Sequence, residues 1–186
     1  MDKFYRLFAA IDFSENQKES LYEYGRFIKK NSAKGNFTRK ENFHLTLAFI
    51  GETRKYELVE EALEEGVRLS RVEPFVVETE GLGRFKTGTG DILWVGIKES
   101  QELINLYEKI TWCLKKREFP VEEQKFKAHL TLGRGIRLNK DISIEELAQK
   151  APKLIVPVDT IHLMNSHRVE GILTYTSLFE TSLNKL

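Results

Sequence analysis

The sequence predicts an α+β protein of two similar lobes, bilobed about a pseudo-two-fold, each lobe a mainly antiparallel sheet with helices packed outside. Three observations carry that prediction. A β-α-β-α order recurs at an offset of 85 residues, the tetrapeptide His-Leu-Thr-Leu stands in both copies at His44 and His129, and each copy is followed by hairpin-like pairs of strands. The units that bear the motifs span about 4–70 and 91–150. No long Pro/Gly/Ser linker separates them, so residues 1–186 read as one domain with an internal duplication.

The elements follow from local patterns. Residues 4–11, "FYRLFAAI", have the apolar, β-rich character of a buried strand, and "SENQKES" then offers Ser14 as N-cap with Gln17 placed for a capping box. After that helix, "NSAKGNFTRKEN" reads as a basic polar loop leading to a strand at 43–50. An acidic helix over 56–70 carries Leu58, Val59, Ala62, Leu63 and Val67 as its apolar stripe, which makes its glutamates a solvated face. The second copy runs through strand 92–97, helix 101–117, the basic segment 117–128, strand 129–134 and a short helix near 143–150. "PFVVETEGLGRF" pairs with "ILWVGI", and "KLIVPVDTIHLMNS" pairs with "GILTYTSLFE". The glycine-rich "GLGRFKTGTGD" lacks the G-K-[ST] ending of a phosphate loop and reads as a hairpin connection.

Composition narrows the functional classes. Lys plus Arg, 29, nearly balances Asp plus Glu, 28, so any polyanion site has to be a local cluster and a duplex-coating protein is disfavoured. The one cysteine, Cys113, sits in a helical pattern and reads as a buried apolar residue. The N-terminus reads as a first strand and not as a signal peptide, and no apolar stretch approaches the roughly 18 residues of a membrane span. The expected location is therefore a reducing cytoplasm.

Side chains alternate across a strand, so His44 and Thr46 share one face while Leu45 and Leu47 share the other; His129, Thr131, Leu130 and Leu132 divide the same way. A lone histidine in such a strand is usually structural. Here two of four histidines are followed by Leu-Thr-Leu, a sequence expected after any one histidine only about once in a thousand or two. If a pseudo-two-fold sets the strands side by side, two imidazoles and two hydroxyls converge. One neutral ring then serves as base and one imidazolium as acid, while the hydroxyls donate to phosphate oxygens. Acyl transfer fits less well, since no Ser or Cys nucleophile accompanies the pair. No H-E-x-x-H or Cys/His cluster exists, so neither a metal nor a cofactor is expected. His162 and His167 lie outside the repeat and read as structural or surface residues.

The paired "HLTL" motifs, "YRLFAAID", "HLTLAFIGE", "GLGRF...LWVGI", "FKAHLTLGR" and "IHLMNSHRVEGILTYTSLFE" resemble the two-histidine phosphoesterases across nearly the whole chain. The nearest branch is similar to the RNA 2′,3′-cyclic phosphodiesterases, also called 2′-5′ RNA ligases. The resemblance implies a central cleft and metal-independent hydrolysis of a 2′,3′-cyclic phosphate to a 2′-phosphate. It implies that His44 is the proton donor to the departing 3′ oxygen and His129 the proton acceptor from water. Thr46 and Thr131 would contact the phosphate, with Arg134 adding charge nearby. The expected substrates are RNA 3′ ends bearing a 2′,3′-cyclic phosphate or small cyclic nucleotides, handled by a monomer away from membranes.

Many relatives carry a tryptophan in the approach to the first motif, where this chain has "GNFTRKENF". Phe37, Phe43 and Phe85 are the candidate base-stacking aromatics, each reading more readily as core. Two other functions remain open to the same residues: a nucleotide- or RNA-binding module without turnover, and 2′-5′ ligation using the same acid and base.

Overall fold

The computed structural model describes residues 4–121 and 126–183, so part of the basic segment, 122–125, lies outside the described residues. Strand β1 (Tyr5–Asp12) leads to α1 (Glu15–Lys30), β2 (Ser32–Phe37), a 3-10 turn (Lys40–Asn42) and β3 (His44–Thr53). Next come α2 (Tyr56–Ser70), β4 (Phe75–Phe85), β5 (Asp91–Ile97), α3 (Gln101–Lys116) and β6 (His129–Leu138). The chain ends in α4 (Ile144–Ala148), β7 (Ile155–Val158), β8 (Thr160–Val169) and β9 (Ile172–Ser182).

Two antiparallel sheets result, ordered β3-β1-β8-β9 and β2-β6-β5-β4-β7. Each histidine strand pairs with the strand that precedes it by a helix, β3 with β1 and β6 with β5. The capping signals hold: the Ser14 hydroxyl accepts from the Gln17 N–H within a full capping box, and Ser143 caps α4 likewise. The glycine-rich stretch joins β4 to β5 as a hairpin.

Three expectations need correction. The polar loop after α1 contains β2, which pairs with the edge of β6 through two register shifts. Such an irregular, half-exposed edge strand has no apolar alternation by which to read it. The segment "KLIVPVDTIHLMNS" is two strands in different sheets: β7 joins β4, and after Asp159 β8 joins β1 and β9. Leu58 is 38% exposed at the margin of the α2 stripe, which buries Val59, Ala62, Leu63, Gly66 and Val67.

One continuous hydrophobic cluster runs through both sheets and the three long helices, and it includes the fully buried Cys113. Leu45 and Leu47 enter it from β3, Leu130 and Leu132 from β6, so each histidine strand is fixed by its inner face. Burying a leucine stabilises by roughly 1.5–3 kcal/mol, an anchor far stronger than any one polar contact on the opposite face. Helices α2 and α3 meet closely at Gly66, where a Cβ would lie 2.7 Å from the Ile110 Cα. Glu65 on α2 also pairs with Arg117 at 2.7 Å. The methyl of Gly66→Ala should therefore force this crossing apart and cost about 1–3 kcal/mol. Urea denaturation measures this; an unchanged or raised midpoint would contradict the packing.

Candidate active site

The face of β3 that does not enter the core presents His44 and Thr46, and that of β6 presents His129 and Thr131. All four are half-buried and line one cleft of about 710 Å³. Each imidazole is held in the same way. His44 Nδ1 lies 2.8 Å from the Asn42 carbonyl oxygen, and His129 Nδ1 lies 2.7 Å from that of Lys127, in both cases two residues upstream. A carbonyl can only accept, so each Nδ1 carries the hydrogen and each neutral ring keeps its lone pair at Nε2. His44 Nε2 is 2.8 Å from Thr46 Oγ1, which donates to the neutral ring.

The surroundings of the two rings differ. His44 packs against Phe8 at 4.7 Å between centroids and meets Tyr175 edge-on at 5.1 Å. Burial lowers its pKa below the ordinary value; the Asn42 carbonyl and Asp12 oppose the shift, while Lys18 and His129 add to it. Asp12, opposite His44 in the register, is paired with the nearly buried Lys18 at 2.8 Å. The Asn42 side chain donates to the Leu173 carbonyl at 3.0 Å, tying the carbonyl that holds His44 to β9.

His129 is bordered by Phe85, edge-on at 5.4 Å, and Trp94 at 5.8 Å. The Lys127 ammonium lies 4.5 Å from the Trp94 ring centroid and 5.7 Å from that of Phe85. The indole crosses β4 at Gly83, where a Cβ would fall 2.1 Å from a ring carbon, so only glycine admits the ring there.

A bulge follows each motif. The β1–β3 register steps from Ala9↔Ala48 to Ala10↔Thr46, skipping Leu47, and the β5–β6 register skips Leu132 in the same way. The skip puts two consecutive residues on the inner face and returns the fifth residue after each histidine to the cleft: Phe49 on β3, Arg134 on β6. Strict alternation would have sent both toward the leucines.

Arg134 thus lines the cleft and is exposed, beside Arg6 of β1, a residue the sequence reading missed. Among the described residues neither guanidinium has a carboxylate at salt-bridge distance. Both act on Tyr175, whose phenol is pushed up by burial against the opposing pull of Arg134 and Arg6. Tyr175 was missed as well; it arrives from β9, and no local pattern marks it. Of the candidate stacking residues, Phe37 lines the cleft, Phe43 is core at 2% exposure, and Phe85 serves as a wall to His129. His162 pairs with Ser177 and Glu180, and His167 with Thr176, outside the cleft lining. Among the described residues no helix is long and apolar enough to cross a membrane.

Two antiparallel sheets meeting at a cleft, each offering a His-x-Thr face, make this a two-histidine phosphoesterase fold. The sequence model of the 2′-5′ RNA ligase superfamily matches residues 26–170, and the chain belongs to that superfamily. It is 36% identical over 143 residues to an RNA 2′,3′-cyclic phosphodiesterase of Archaeoglobus fulgidus, covering 74% of this chain and 77% of that protein. It is 32% identical over 130 residues to one of Thermotoga maritima, covering 69% of each. The fold matches that of E. coli LigT complexed with 3′-AMP, with TM-score 0.79 and 23% identity over 98% of this chain and 100% of that one.

Lowered in the fold, the His44 pKa makes stability depend on pH. The unfolded chain takes up this proton near pH 6.5 while the folded chain resists, so stability due to neutral His44 is complete above that pH. It is lost as pH falls through the lower folded pKa. Urea midpoints of the wild type should fall more steeply between pH 7 and 5 than those of His44→Gln. Equal slopes, or an NMR titration placing His44 above 6.5, would contradict the effect of burial.

Proposed function

We propose that the protein hydrolyses the 2′,3′-cyclic phosphate at an RNA or nucleotide end to a 2′-phosphomonoester, with His44 and His129 as acid and base. One observation carries this reading: two imidazoles in one cleft, each fixed at Nδ1 by a backbone carbonyl and each leaving Nε2 for proton transfer. The names of the A. fulgidus and T. maritima relatives support the same substrate class.

In this reaction His129 Nε2 takes a proton from water as the water oxygen attacks phosphorus. The bond from phosphorus to O3′ breaks, and protonated His44 gives its Nε2 proton to that oxygen, leaving a 3′-hydroxyl beside the 2′-phosphate. Thr46 and Thr131 donate to the non-bridging oxygens, with Arg134 adding positive charge. Burial favours the neutral His44 ring in the free protein, and the negative charge of the bound phosphate favours the protonated ring the reaction requires. Thr46, which donates to neutral His44, turns its hydrogen to the phosphate once that ring is protonated. The reading has the protein acting as a monomer in the cytoplasm, with no metal in the reaction.

An oligonucleotide ending in a 2′,3′-cyclic phosphate should be turned over in EDTA to the 2′-phosphate, with a bell-shaped pH profile. His44→Ala and His129→Ala should each lower kcat by about 10²–10⁴-fold. A rate flat from about pH 5 to 9 would overturn the assignment of acid and base, whereas a 3′-phosphate product would contradict the cyclic-phosphodiesterase branch and leave the two-histidine chemistry standing. Nucleotide binding without turnover would leave a binding module, and a joined 2′-5′ product in the presence of a 5′-hydroxyl strand would mark ligation.

A further inference from the structure

Phe49 and Arg134 are equivalent positions in the two strands, each five residues after its histidine and each returned to the cleft by the same bulge. One is a cation and the other an aromatic ring, so the cleft has unlike ends. Phe49 is 42% exposed and lines the same cleft as the two histidines, its ring open to an incoming ligand. The Arg6 guanidinium lies 5.4 Å from its centroid and has no ion-pair partner among the described residues, although Glu52 stands opposite it in the strand register. An exposed ring beside an unpaired guanidinium is the pairing that single-stranded nucleic acid uses, a base on the ring and a phosphate on the cation.

From these positions we infer that Phe49 and Arg6 form a subsite for the nucleotide on the 5′ side of the cyclic-phosphate end. Its base stacks on Phe49, and the phosphodiester joining it to the terminal nucleoside meets Arg6. The inference rests on the phosphodiesterase reading above and adds the length of substrate the cleft is built for. Distance favours the upstream nucleotide over the terminal one. Phe49 lies roughly 7–10 Å along β3 from Thr46, about one nucleotide beyond the phosphate-handling hydroxyls. Charge favours it too: a mononucleoside cyclic phosphate has one anionic group, which Arg134 can meet on β6, whereas a dinucleotide brings the second anion that Arg6 lacks.

The test compares kcat/KM for a dinucleotide ending in a 2′,3′-cyclic phosphate with that for the matching mononucleoside 2′,3′-cyclic phosphate. The wild type should favour the dinucleotide, and Phe49→Ala should cut that preference by about 5- to 150-fold, the range of a lost base stack. Arg6→Ala should reduce the preference and flatten its dependence on salt, while Phe49→Tyr, which keeps the ring, should retain it. Parallel losses on both substrates would assign Phe49 to the terminal base or to folding, and no loss on either would leave it a bystander; both overturn the subsite. If the wild type turns over neither substrate, the phosphodiesterase reading fails by itself. Binding of a dinucleotide 2′-phosphate against a nucleoside 2′-phosphate then decides the subsite, because Phe49→Ala must weaken the dinucleotide selectively.

Discussion

The site depends on one hydrogen bond made twice, from an imidazole Nδ1–H to the carbonyl two residues before it in the same chain. That bond fixes the tautomer, and with it the nitrogen left for chemistry. It works only if the backbone entering each strand is held still, and the two approaches are held by different means. Before His44, the Asn42 side chain bonds across to Leu173 and the 3-10 turn folds the chain back on itself. Before His129, the Lys127 side chain lies over the Trp94 and Phe85 rings, and the Ala128 carbonyl accepts from the Ile97 N–H. The leucines of each strand then anchor the whole assembly to a shared core.

A strand has only two faces, and these two strands must use both. Strict alternation would give the cleft the histidine and threonine and little else. Skipping one leucine in each register changes parity just beyond the threonine and turns a further side chain to the cleft in both lobes, and a second register shift lies close by in each pair. The inner face has leucine followed by alanine or glycine at the bulge, small residues that fit where two side chains are crowded inward.

This explains how far the sequence could be read. The His/Thr and Leu/Leu faces, the Ser14 box and the β4–β5 hairpin are set by neighbours a few residues apart, and local pattern carries them. The bulges at Leu47 and Leu132 have no signature in "HLTLAF" or "HLTLGR", so Phe49 would be counted as core. Strand β2 owes its existence to the edge of β6, and Tyr175 owes its place beside His44 to a hairpin over a hundred residues away. The switch at Asp159 between sheets is likewise a property of the partners and not of the segment. What sequence reading lacks in each case is the long-range pairing that decides which face a residue shows.

The two histidines are alike in ligation and unlike in environment, and that difference bears on how the proposed reaction would divide their roles. A general acid is useful only if protonated when needed, and burial between Phe8 and Tyr175 disfavours that state in the free cleft. The same desolvation strengthens attraction to an arriving anion, since charges separated from water interact more strongly. His44 would then gain its proton together with the substrate and give it up readily to an alkoxide, because the site has little affinity for the cation once the charge on phosphorus has moved away. A base has the opposite need. It must offer a lone pair when the substrate arrives, and the neutral His129 ring, fixed at Nδ1 by the Lys127 carbonyl, presents that lone pair at Nε2. Repulsion from His129 is the smallest of the causes that lower the His44 pKa, and a bound phosphate opposes it by favouring the protonated ring.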